Sequence, residues 1–176
     1  PREYTVEGDQ RRRVSHLDTR ALGSIWHSTA KNGSWSITEA LATIYAGLFV
    51  SSHGRSASVQ LIVPSSVQAL LITSLLSDLG RPDIQVSTAP ARPRQGSGYK
   101  VFIVSVPPSG DILGREYVSM VQEVLRRDAR PDADEVISVG EEPLLNTREA
   151  SLPGNRDLRA SGLGRFGDRG DLIRRL

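Results

Sequence analysis

Cysteine is absent from this chain of 176 residues. No disulfide, thiolate metal site or thiol nucleophile can be built from it, and the redox compartment is left open. Lysine is nearly absent too. Lys31 and Lys100 are the only two, so 22 less these two leaves 20 arginines among the basic residues. Arginine stays charged, forks onto phosphates and carboxylates, and suits interfaces and nucleic-acid backbones. A GC-rich coding sequence would make the same choice, so the bias alone names no partner. Aromatic residues are 5% and apolar residues 38% of the chain. Both are low for a globular domain, which implies a sizeable share of tail or linker. No apolar run approaches the ~18 residues of a bilayer span, and no signal-peptide pattern opens the chain. A soluble intracellular protein is the expectation.

The length suits one domain with tails. Residues 1–33 read as an N-terminal arm with a short strand near Leu22–Ser28, closed by a turn at Lys31-Asn32-Gly33. Ser36 with Glu39 forms a capping box, and Ile37, Leu41, Ile44 and Leu48 then share one helical face. Trp35, just before the cap, is expected beneath the first helical turn as a core anchor. The near-continuous apolar run Ser58–Val63 reads as an interior strand, which Pro64 ends. Ser65 caps a second, mostly buried helix with Gln68 in the capping-box position, and Gly80 stops it. Further strands are expected at Asp83–Thr88 and Gly98–Val106, joined by an exposed basic hairpin tip that carries Arg92 and Arg94. A helix capped by Asp111 runs through Arg127, with Leu113, Tyr117, Val121, Val124 and Leu125 inward. Glu135–Val139 is a last short strand. The order predicts an α+β two-layer sandwich over 34–139, ferredoxin-like (βαββαβ) and preceded by a helix. Residues 140–176 read as a flexible Arg/Gly/Asp-rich C-terminal tail, with six arginines against three aspartates from Gly154 on.

Catalytic constellations are missing. His16, His27 and His53 are scattered, no HExxH-like or acidic-pair spacing occurs, and Gly-x-Ser-x-Gly is absent. Gly96-Ser97-Gly98 lacks the strand-to-helix setting of a phosphate loop. Arg12-Arg13-Val14-Ser15 fits a basophilic kinase site, but a solvated charged turn is the commoner meaning of such a string. Arg169-Gly170-Asp171 copies an integrin-binding tripeptide, as chance allows in a tail of those letters. Tyr45-Ala46-Gly47-Leu48-Phe49 distantly resembles the start of the LAGLIDADG homing-endonuclease motif without its metal-binding acid. No enzyme, cofactor or metal is expected.

Two non-enzymatic readings remain. Gly98-Tyr99-Lys100-Val101-Phe102 resembles the central-strand signature of RNA-recognition motifs, with one platform aromatic. Backbone contact through Arg11, Arg12, Arg13, Arg92, Arg94, Arg156, Arg159, Arg165, Arg174 and Arg175 would be salt-dependent. The other reading is self-assembly. Asn32-Gly33-Ser34-Trp35-Ser36, with Ala40-Leu41 and Ile44-Tyr45-Ala46-Gly47 and then the apolar strand after His53, is similar to the first helix of rhabdovirus matrix proteins. That resemblance covers about thirty residues. It implies a viral matrix-like or coat-like protein that polymerises, associates with a nucleocapsid or RNA, and touches a membrane peripherally, in the virion and host cytoplasm. The family's lysine-rich N-terminal arm and Pro-Pro-x-Tyr motif have no counterpart in this chain. A self-assembling structural protein, homo-oligomeric through its terminal arms, is the expected function. The alternative is an RNA-binding subunit of a ribonucleoprotein particle such as a ribosome.

Overall fold

A computed structural model describes residues 5–6, 10–11, 13–31, 33–53, 58–88, 100–108, 110, 112–128, 135–142, 144 and 166–176. Strands β1 (Thr5–Val6) and β2 (Gln10–Arg11) pair with each other. Then come β3 (Arg13–Asp18), a 3-10 turn at Arg20–Leu22, β4 (His27–Thr29), β5 (Gly33–Trp35) and α1 (Ile37–His53). They are followed by β6 (Ser58–Val63), α2 (Ser66–Asp78), β7 (Gln85–Thr88), β8 (Lys100–Val106), α3 (Ile112–Asp128), β9 (Glu135–Gly140) and α4 (Arg169–Arg175).

Five strands form one sheet in the order β3-β9-β8-β6-β7, and every pair is parallel. This overturns the ferredoxin-like expectation, whose sheet is antiparallel: the protein is a doubly wound α/β fold. Two features of the chain account for the difference. Strands β6, β8 and β9 are buried on both faces, the pattern of a parallel sheet covered by helices on each side. And β7 does not pair with β8, because β6 lies between them. Arg92 and Arg94 lie outside the described residues, but the strands on either side of them are parallel and not adjacent, so β7 and β8 do not form the expected hairpin.

The helices divide by face. The steps from β6 to β7 and from β8 to β9 cross the sheet in opposite directions, so right-handed crossovers place α2 and α3 on opposite sides. Leu17, Leu61, Ile103, Ile137 and Val139 pack with α1, α2 and α4. Ile62, Phe102, Val104 and Val136 pack with Tyr117, Val121 and Leu125 of α3. Burial on α2 follows Gln68, Ile72 and Leu76, whereas Leu70 is 70% exposed, so this helix is one-sided and not mostly buried. Ile37 likewise points outward.

Both ends of the chain differ from the arms expected of them. Arg13–Asp18 is a strand of the central sheet, its six residues in register with Glu135–Gly140. Phe166 and Leu172 are each 1% exposed and belong to the α1 face, so this part of the expected tail is built into the body. Ser15, the acceptor of the kinase-like string, is buried in β3.

Candidate functional site

In an open parallel sheet, ligands gather outside the carboxyl ends of the strands where the strand order reverses. Here that point lies between β6 and β8. The chain's own β4–β5 hairpin occupies it, for β5 touches both α2 on one face and α3 on the other. Gly33 makes the approach possible. Its φ of +71° is left-handed, and a Cβ there would stand 2.8 Å from Ser65 Cβ. At the base of the hairpin the carboxamide of Gln68, fully buried, grips the backbone of Ser36 in both directions. Ser36 N–H donates to Gln68 Oε1 at 2.9 Å, and Gln68 Nε2 donates to Ser36 O at 3.1 Å. Ser65 caps α2 as its sequence implies, accepting from Gln68 N–H at 3.1 Å. The side chain of Gln68, however, reaches across to α1 and not back to its own cap. Trp35 is half-buried and stacks on His27 at 4.4 Å instead of anchoring the core.

Under the first turn of α1 sits a buried polar cluster. Glu39 is wholly buried, and Thr19 Oγ1 donates to its Oε1 at 2.6 Å. Ser36 Oγ accepts from Glu39 N–H at 3.5 Å, so half of the expected capping box is present, while the carboxylate is directed to Thr19. Burial pushes the Glu39 carboxyl above its ordinary range. The hydroxyls of Thr19 and Ser24 work against that, and the charges of Glu141 and Asp18 add to it. Glu39 Oε2 and Ser24 Oγ are both buried without a hydrogen-bond partner. Ser105, at the carboxyl end of β8, is a further buried hydroxyl without a partner.

On the α3 side of the sheet, His16 Nδ1 lies 2.9 Å from Ser138 Oγ, and Ser138 Oγ donates to Ser15 O at 3.3 Å. Asp18 follows two residues after His16 but is engaged by Arg20, whose Nε lies 3.0 Å from both carboxylate oxygens. Burial lowers the pKa of His16 and outweighs the attraction of Asp18. For Asp18, burial raises the pKa, but the hydrogen bonds and charge of Arg20 prevail and hold it below the usual range. Ser, His and Asp thus stand together without the relay a hydrolase requires. The serine is buried and already donates to a backbone carbonyl, and the aspartate is held by an arginine. Among the described residues no group of three or more His, Cys, Asp or Glu is placed to hold a metal.

The third feature is the clasp between α1 and the last eleven residues. Asp168 caps α4 by accepting from Asp171 N–H at 2.7 Å. Arg169 Nε donates to Leu22 O at 2.6 Å, and its Nη2 donates to Gly23 O. Phe166 meets Tyr45 edge-on at 5.4 Å, and the Arg175 guanidinium lies 6.0 Å and 5.5 Å from the Tyr45 and Phe166 ring centres. Arg175 also bonds Asp171 at 2.8 Å. The integrin-like Arg169-Gly170-Asp171 is therefore a helix start whose ends both make intrachain contacts.

Of the ten arginines nominated from sequence, Arg174 is exposed on α4 and Arg175 is turned onto Tyr45. Arg11 and Arg13 lie on β2 and β3. Arg12, Arg92, Arg94, Arg156, Arg159 and Arg165 fall outside the described residues. Sequence reading gives Phe166 no role and takes Arg169 only as part of a chance tripeptide, although Asp168 with Asp171 three residues on is a capping signal. No family model matches the chain, and no curated protein matches it in sequence. No described helix is long and apolar enough to cross a membrane.

Proposed function

We propose that this chain is a non-enzymatic structural module that assembles with copies of itself and associates with a ribonucleoprotein, in a matrix-like or coat-like role. The observation that carries the reading is the β4–β5 hairpin seated at the topological switch point and held by the Gln68–Ser36 pair. The position where this fold ordinarily admits a small ligand is taken up by main chain, which directs recognition to outer surfaces. The clasp supports it further, since a short terminal segment with its own cap, aromatic anchor and arginine hooks is a ready-made coupling element. Exposed Arg174 is one of the arginines that would meet nucleic-acid phosphates. A virion or cytoplasmic setting and a peripheral membrane contact belong to the same reading.

Light scattering on the full chain, with and without RNA, tests it. The expected result is a mass that grows with protein concentration in the absence of RNA. A monomer at every concentration that binds RNA steeply less as salt rises would overturn it in favour of an RNA-binding subunit.

A further inference from the structure

We infer that the groove on α1 that receives residues 166–176 also accepts the same segment from a second copy of the chain, so that neighbouring subunits are coupled by exchange of their C-terminal helices. This rests on the self-assembly reading above and names its interface. The receiving surface is the ring of Tyr45 with the carbonyls of Leu22 and Gly23. The entering surface is Phe166, Arg169, Leu172 and Arg175.

Three observations point to exchange. First, the clasp is built almost entirely between the segment and elements distant in sequence, so it is indifferent to which chain supplies the segment. Arg169 is more than 140 positions from its two carbonyl acceptors. Secondly, the segment carries its own order. Asp168 caps α4, and Asp171 pairs with Arg175 one turn along, which lowers the cost of docking as a separate piece. Thirdly, Leu144 packs on the α3 face and Phe166 on the α1 face. The roughly twenty residues between them lie outside the described residues, and a chain of that number spans at most about 70 Å. That is ample to arrive at an adjoining molecule. Exchange of an identical element creates no new contact and therefore needs no new complementarity. A tether of this length gives the chain's own segment an effective concentration on the order of millimolar. Self-docking thus prevails in dilute solution, and exchange competes when subunits are packed side by side, as in a layer or shell. Because each chain both gives and receives, reciprocal exchange closes a dimer and one-way exchange runs on from copy to copy.

The absence of native cysteine makes the test clean. One chain carries Ala21→Cys, beside the carbonyls that hold Arg169, and a second chain of different mass carries Ile173→Cys on the exposed side of α4. A short bismaleimide joins thiols only across a docked clasp. The single chain with both substitutions reports self-docking. The expected result is an intrachain product in dilute solution, and a product between the two masses that rises with concentration. Arg169→Ala should lower that mixed product by about tenfold by removing two charge-assisted hydrogen bonds. A mixed product equally abundant in a Leu70→Cys control would mean random collision and would overturn the inference. An intrachain product alone, in samples that light scattering shows to be oligomeric, would overturn exchange while leaving self-assembly intact. Monomers throughout would end both.

Discussion

The two faces of the sheet are packed differently. Toward α1 small residues let the helix come close. Ala40, Ala42 and Ala46 are fully buried, and a Cβ on Gly47 would come within 3.3 Å of Leu61 Cδ2. Around that approach Leu17, Ile44, Leu61, Ile103 and Phe166 fill the face, and Gln68 and Thr19 bond the buried backbone of Ser36 and the carboxylate of Glu39. Toward α3 a single amphipathic helix closes the face with bulk. Phe102, Tyr117, Val121 and Leu125 fill it, and two hydrogen bonds tie the helix, from Tyr117 Oη to Ile62 O at 3.1 Å and from Gln122 Nε2 to Leu144 O at 2.8 Å. Both faces depend on buried volume, and the α1 face adds a close helix-to-sheet approach and the buried bonds of Gln68 and Thr19. Damage to each should therefore read out differently.

The sharpest way to break that comparison is Phe102→Ala. Removing a ring from the centre of the bulk-packed face should cost about 3–5 kcal/mol in chemical denaturation. A loss under about 1 kcal/mol would show that α3 does not depend on volume. On the other face, Ala46→Leu should cost about 1–3 kcal/mol by overpacking a helix with no room to move. Gln68→Ala comes next. It leaves the buried Ser36 N–H without an acceptor and should cost about 1–3 kcal/mol. Hydrogen exchange at 33–36 should accelerate while α3 is unchanged. If exchange rises equally at α3, the hairpin is not held by Gln68 alone.

Much of this division could be read from residue order, and some could not. The starts of α1 and α2, the left-handed stop at Gly80 and the inward triplet Tyr117, Val121 and Leu125 follow from local rules, and the structure has them. Sheet order is not local. The doubly buried run Ser58–Val63 hinted at parallel pairing. Yet the crossover from β7 to β8 contains no apolar period, and so it reads as a hairpin. Strand β3 was lost because Arg13, His16 and Asp18 interrupt its pattern. A strand that borders the sheet needs only alternate residues inward, and Ser15 and Leu17 supply them. Local rules read Glu39 and Gln68 as caps, which is what helix starts teach. Their partners Thr19 and Ser36 lie 20 and 32 residues away, and no spacing rule connects them. Phe166 and Leu172 were hidden in a stretch whose composition is that of a tail. Two apolar anchors in eleven residues suffice when a preformed groove receives them.

The smallest expected effect is also the one that separates the faces by charge. Glu39, on the α1 side, has its carboxyl raised by burial, so the native state holds its proton to higher pH than the unfolded chain does. Its contribution is complete below the ordinary glutamate value of 4.5 and is lost as pH rises through the elevated native value. His16, on the α3 side, is lowered by burial. The unfolded chain binds that proton more readily, so stability falls as pH drops through 6.5. The two slopes have opposite signs and partly cancel in the parent chain, so each is seen alone only when the other group is removed. Glu39→Gln keeps an acceptor for Thr19 without a charge to bury. It should raise the melting temperature at pH 8 by a few degrees, change little at pH 4, and leave the acid-side slope of His16 in place. His16→Gln should do the reverse, flattening the acid side alone. A Glu39→Gln chain less stable than its parent at pH 8 would mean that the buried carboxylate is ionised and answered by a charge. The α1 face would then be held by an ion pair and not by closure of neutral hydrogen bonds.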